Sequence, residues 1–324
     1  MKKNIFAGLG FIVLIILMIY LGIRLLSNKP RDDQNNPYEF NIDEFEQVDS
    51  TLIDYSEIRQ INISAAQLKA LTIDSQDQLY VAGDEKVLIY SETGKQTGEI
   101  QLNQSAQAVS VDETGQVYLA MLKYVQVYDN TGKKITDWPD LDGNAHFTSI
   151  AVSAKDVFVA DAGNRLVWRF DKSGKLLNKI GEKDSTGNIP GFVIPSPYFD
   201  LQVGRDESVW IVNPGLHLIQ NYAANGDLRT SWGKPAMTVD GFCGCCNPGY
   251  FAILNDGSFV TSEKGIVRVK VYDQQGEFKS YIAGKETFGK EATGLDLAVD
   301  SKNNIYVLDP KAQLVRVFSK SKKL

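Results

Sequence analysis

Six copies of one pattern limit what this 324-residue chain can fold into. An alternating apolar strand, a polar turn and a strand centred on an aromatic recur as LTIDSQDQLYVA, VSVDETGQVYLA, IAVSAKDVFVA, LQVGRDESVWIV, FAILNDGSFVT and LAVDSKNNIYVL. The central aromatics are Tyr80, Tyr118, Phe158, Trp210, Phe259 and Tyr306, spaced by 38, 40, 52, 49 and 47 residues. A period of that length marks stacked supersecondary units. Each copy continues into a third strand that ends on an aromatic, namely Tyr90, Tyr128, Phe170, Tyr222, Tyr272 or Phe318. In the first five copies a glycine stands four positions later, at Gly94, Gly132, Gly174, Gly226 and Gly276. A hairpin turn requiring positive φ would select glycine there. A fourth strand then runs out, as in LLNKIG and FKSYIAG.

Four short antiparallel strands, repeated six times, predict an all-β fold, a six-bladed β-propeller over residues 51–324. The sixth copy stops after its third strand, at Phe318-Ser319-Lys320. Its missing outer strand has a candidate far upstream, in Tyr55-Ser56-Glu57-Ile58-Arg59-Gln60-Ile61. Pairing of the two would close the ring and remove an exposed edge. The units DAGNRLVWRFDKSGKLLNKIG and EKGIVRVKVYDQQGEFKSYIAG resemble NHL repeats, and the resemblance runs from about Ile53 to the C-terminus. It implies the propeller architecture and little about activity. NHL propellers include peptidyl-α-hydroxyglycine lyases, receptor-kinase sensor domains and protein-binding modules, and related gluconolactonase-like propellers are metal-dependent hydrolases.

Residues 5–23 form 19 uncharged, mostly Ile, Leu, Val and Phe positions. As a helix they would reach roughly 28 Å, close to the ~30 Å hydrocarbon core. No small-residue cleavage site follows, so an uncleaved transmembrane anchor is expected over residues 1–26. Lys2, Lys3 and the terminal amine balance Arg24, Lys29 and Arg31, leaving the charge rule nearly silent on orientation. The four-residue tail ahead of the run favours a cytoplasmic N-terminus and an extracytoplasmic propeller. SNKPRDDQNNPYEFN, residues 27–41, is polar and aperiodic, and residues 27–50 read as a tether. Without residues 1–31, which hold five of the 34 Lys/Arg and none of the 40 Asp/Glu, the chain carries 29 positive and 40 negative residues, a net −11. Nucleic acid and anionic lipid heads are poor partners for such a domain.

All three cysteines fall in FCGCCNPGYF, residues 242–251, on the loop between the fourth and fifth copies. Propeller topology carries that loop to the upper face, around the channel mouth. Three readings stay open. Cys243, Cys245 and Cys246 could ligate a soft or borderline metal, zinc, copper or an iron–sulfur cluster, with His146 of the corresponding loop two blades earlier as a fourth ligand. Export without a twin-arginine signal disfavours the cluster. Alternatively Cys245 and Cys246 could pair as a vicinal disulfide, or all three could be buried packing residues.

Residues at the head of the innermost strands align as Ala70, Ala108, Ser149, Asp200, Tyr250 and Asp296. Asp200 and Asp296, two blades apart, with Tyr250 between them, are candidate ligand-binding groups for a cation or for acid–base work. Glu263 and Lys264 should lie beside the cysteine loop, as a salt-bridged support for it or a solvated pair, with Glu263 also a ligand-side candidate. The chain has only two histidines, too few for the zinc site of a peptide-amidating lyase, and His217 aligns with Arg165 as a structural residue. No G-x-S-x-G, H-E-x-x-H or P-loop pattern is present. The expected function is a membrane-anchored binding scaffold for a protein partner or small ligand. The rival is a gluconolactonase-like hydrolase or lyase using Asp200, Asp296 and a cation.

Overall fold

A computed structural model describes residues 15–22, 24, 42–141, 143–183 and 191–321. The chain divides into two units, Met1–Ile42 and Asp43–Leu324. In the first, residues 15–22 are helical, with exposed apolar side chains from Ile15 to Leu21. The rest of the expected membrane run lies outside the described residues, and among the described residues no helix is long and apolar enough to cross a membrane.

The second unit is a six-bladed all-β propeller. Each blade is a four-stranded antiparallel sheet. In the first, the strands Leu68–Ile73, Leu79–Gly83, Lys86–Tyr90 and Gln96–Gln101 pair in sequence order. Blades two to five follow at 108–137, 147–180, 201–232 and 250–284. The sixth combines Leu297–Val299, Ile305–Asp309 and Leu314–Lys320 with Tyr55–Asn62 as its outer strand. That strand runs antiparallel to Leu314–Lys320, from Tyr55 opposite Lys320 to Asn62 opposite Leu314. The expected closure is therefore made. The unit also starts before Thr51. The short helix Asp43–Glu46 belongs to it because Glu46 is buried and ion-paired with Lys285 and Lys290, and the Phe45 carbonyl accepts from Arg268.

Burial follows from blades stacking face to face. Second strands such as Val117–Ala120 and Asp156–Asp161 are buried on both sides, whereas the outer strand Lys134–Asp137 is exposed throughout. The recurrent glycine has two duties. Gly174 and Gly276 adopt φ of +87° and +83° as the turn demands. Each also admits the tryptophan at or just past the end of the preceding blade's outer strand. A Cβ on Gly174 would lie 2.6 Å from the Trp138 indole, and one on Gly276 2.5 Å from Trp232. Blade-to-blade docking thus uses the same atom-sized gap that permits the turn.

Candidate functional site

One polar device recurs where the second strand ends. In blades three to six its last residue is Asp161, Asn213, Glu263 or Asp309, all buried. Each meets the third-strand side chain two residues before the terminal aromatic. Trp168 Nε1 donates to Asp161 at 2.8 Å and Arg316 Nε to Asp309 at 2.9 Å, while Gln220 Oε1 accepts from Asn213 at 2.9 Å. In blade five the pair is ionic, Lys270 Nζ lying 2.6 Å from Glu263 Oε1, which receives no other donor. In blades three to five the same residue also accepts a backbone N–H from the incoming upper loop: His146 on Asp161 at 2.9 Å, Val193 on Asn213 at 2.9 Å, Cys243 on Glu263 at 3.1 Å. His146, Val193 and Cys243 are thus equivalent in the ring.

This arrangement corrects the ligand-side expectation for Glu263 and makes it a support for the loop, paired with Lys270 rather than Lys264. Its side chain and that of Lys270 are both 0% exposed, so it anchors the cysteine loop from beneath and cannot meet a ligand on the face. Lys270 Nζ further donates to the carbonyls of Val239 and Gly241, and Arg268 to those of Met237 and Thr238. Two cations are buried here because the loop folds its carbonyls over them. Burial pulls the Lys270 ammonium below the ordinary lysine range, with Glu263 opposing that shift. Asn247 completes the brace, donating to the Cys243 and Lys264 carbonyls and accepting the Lys264 N–H.

Gly244, at φ +77°, reverses the chain between the cysteines. The consequence is that the three thiols have different surroundings. Cys243 is buried near Glu263, Arg268 and Lys270, its sulfur accepting from the Ile266 N–H. Cys245 is exposed, and Cys246 is buried directly behind it with the two sulfurs 3.3 Å apart. Ser196 bonds to the Cys246 sulfur and Lys264 is nearby. Burial pushes both the Cys243 and Cys246 thiols up. The four expected metal ligands, Cys243, Cys245, Cys246 and His146, are not assembled. Among the described residues no three His, Cys, Asp or Glu side chains come together so as to hold an ion. The residues present do not fit a three-thiolate centre, because the left-handed Gly244 turns Cys243 towards Glu263 while Cys245 and Cys246 stay at the rim.

Sequence reasoning placed Lys264 beside the cysteine loop but passed over the contacts made there by His217, Ser196 and Tyr198. His217 shares the left-handed conformation of Arg165, at φ +59° and +57°, as their alignment implied. Its Nε2 donates to the Gly244 carbonyl at 2.5 Å. Lys264 Nζ lies 4.2 Å from the centre of the Tyr198 ring and 3.3 Å from Ser196 Oγ. One signal was available: only the copy after the cysteine loop carries basic residues at both four and two positions before its terminal aromatic, Arg268 and Lys270.

The aligned inner-strand heads do reach the channel, a cavity of about 170 Å³ lined by all six innermost strands and including Asp200, Tyr250 and Asp296. The two carboxylates do the same structural job. Asp200 Oδ2 accepts the Phe251 N–H of the next blade at 3.0 Å, and Asp296 Oδ2 accepts the Leu71 N–H at 2.8 Å. Their other oxygens take the following residue's N–H, and Asp200 also receives the Ser149 hydroxyl. Each is a clasp between neighbouring blades. Burial pushes Asp200 up to about 6. Burial and then the Asp200 charge hold Asp296 well above the carboxylate range. Half-buried Tyr250 is raised by burial and by Asp296, Tyr198 and Asp200.

A carboxyl raised in the fold binds protons more tightly there than in the unfolded chain, whose value is about 3.9. Its contribution is full below about pH 4 and is lost as pH rises through the folded value, about 6 for Asp200. Asp296→Asn removes the titrating group. Its melting temperature relative to the unmodified chain should therefore be most favourable at pH 7 and decline towards pH 5. A difference that moves the other way would mean that Asp296 is ionised in the fold at pH 5.

A scan against protein-family models finds no match, and no curated protein matches. Solved structures do. A streptogramin B lyase superposes with a TM-score of 0.57 at 10% identity, covering 82% of this chain and 98% of that one. A catalytically inactive virginiamycin B lyase from Staphylococcus aureus, with quinupristin, gives 0.57 at 13% identity, covering 79% and 81%. A protein of unknown function from Bacteroides thetaiotaomicron gives 0.55 at 14%, covering 82% and 75%. At these identities the likeness is one of fold alone.

Proposed function

We propose that the chain is a membrane-anchored, extracytoplasmic propeller of the NHL type, acting as a binding scaffold for a protein partner or small ligand at its upper rim. The observation that carries this reading is a pair of exposed apolar side chains linked through His217 to the cysteine loop. Val193 and Leu216 are 43% and 39% exposed, and the Gly215 N–H beside Leu216 bonds to the Val193 carbonyl. His217, next along, holds Gly244, which adjoins exposed Cys245. Apolar groups on a loop braced from below are suited to docking, since little ordering remains to be done on binding. The apolar run at residues 5–23 supports the anchor, and the net −11 beyond residue 31 weighs against nucleic acid. The gluconolactonase-like alternative is less well supported, because Asp200 and Asp296 are engaged with backbone N–H groups of neighbouring blades.

A photo-crosslinking residue placed at Leu216 in the full chain, in its native membrane, is expected to give a discrete adduct. The same residue at Glu113, exposed on an opposite-face turn, should give none. Adducts from both positions, or from neither, would end the reading.

A further inference from the structure

We propose that Cys245 and Cys246 form a thiol–disulfide exchange site, with exposed Cys245 as the attacking thiol and Cys246 as the resolving one. The proposal deepens the binding reading by giving the rim's partner a chemistry, that of a molecule carrying a disulfide. Its basis is the asymmetry of the pair. One sulfur is open to solvent, while the other lies 3.3 Å behind it, enclosed by the loop. Exchange needs that division: an accessible nucleophile, and a second thiol close enough to act before the mixed disulfide is lost. Burial and Cys245 raise the Cys246 thiol, and Ser196 and the Lys264 ammonium oppose that rise. Lys264 is itself fixed between Ser196 Oγ and the Tyr198 ring.

The loop holds this geometry from three sides: His217 on Gly244, Asn247 on the Cys243 carbonyl, and Glu263 on the Cys243 N–H. Cys243 takes no part, because its thiol is turned away among Glu263, Arg268 and Lys270. The steps balance with a partner disulfide, R–S–S–R′, as oxidant. Cys245 thiolate attacks one sulfur, forms Cys245–S–S–R and expels R′S⁻. Cys246 thiolate then attacks Cys245, closes the Cys245–Cys246 disulfide and expels RS⁻. Two electrons pass from the thiol pair to the partner, and the two thiol protons go to the departing thiolates. Val193 and Leu216, linked to the cysteine loop through His217, would seat the apolar surroundings of the partner's disulfide.

The test uses the full chain in detergent, reduced and then equilibrated without oxygen in glutathione buffers of increasing oxidised fraction. Free thiols are trapped with a maleimide and located by peptide mass. The unmodified chain should lose Cys245 and Cys246 together in one two-electron transition, leaving Cys243 reduced. Cys246→Ser should carry about tenfold more glutathione on Cys245, because nothing resolves the mixed disulfide. Cys245→Ser should carry little glutathione and form no pair, and Cys243→Ser should leave the transition in place. Three results would each overturn the proposal: a pair that stays reduced throughout, glutathione accumulating on Cys245 of the unmodified chain, or thiols shielded until a copper chelator is added. The assay needs no partner protein, so its failure is distinguishable from failure of the crosslinking test.

Discussion

Replacing Glu263 with alanine is expected to lower the unfolding free energy by about 3–5 kcal/mol, among the largest effects of any single change in this chain. The magnitude follows from what is left behind. Lys270, with no side-chain exposure, would lose the carboxylate 2.6 Å away that opposes its downward shift, leaving only the Val239 and Gly241 carbonyls. Cys243 would lose the acceptor for its N–H at the same time. The consequence should therefore reach the rim: Cys245 should react faster with maleimide as the loop loosens. Glu263→Leu combined with Lys270→Met removes both charges and should be milder than either single change. It should not be neutral, because the two carbonyls would still lack a donor. Urea unfolding of the unmodified chain, Glu263→Ala, Lys270→Met and the double variant checks the first claim and thiol-reaction rates the second. Equal rates in Glu263→Ala and the unmodified chain would show that the loop is braced without Glu263.

Gly276→Ala should cost about 2–5 kcal/mol, combining a left-handed backbone with overpacking. The methyl would meet the Trp232 indole at 2.5 Å. That indole cannot move aside easily, for its ring centre lies 4.9 Å from Phe259 and 5.1 Å from Tyr272. Gly265→Ala is the internal comparison. It shares a φ of +83°, but its added methyl would enter open space. Only the backbone penalty, about 1 kcal/mol, should remain there. Urea midpoints separate the two, and equal losses would mean that the glycine serves its turn alone.

The ring was legible because its determinants are local and repeated. Alternating apolar residues and a buried aromatic return at every blade and a turn glycine at the first five, and the surplus strand Tyr55–Asn62 could be matched to the copy that lacked one. The candidate site was legible in position only. That Cys243, Cys245 and Cys246 gather on the upper face follows from topology. Which way each thiol points depends on one left-handed residue, Gly244, and on hydrogen bonds from His217 and Asn247. Spacing alone does not encode that geometry. The burial of Arg268 and Lys270 was hidden for a related reason. In a strand alternating apolar and charged residues they read as the solvent side, yet a loop from the preceding blade covers them.

The outer strand of blade six also has a bearing on biosynthesis. Glu57 and its partner Arg316 are 259 residues apart, so the first strand to leave the ribosome must wait for the last. Until then the nascent chain exposes two unpaired strand margins, both open to proteases and chaperones. A product cut short before Leu314 would keep that signature permanently, giving the cell a simple means of telling unfinished copies from finished ones.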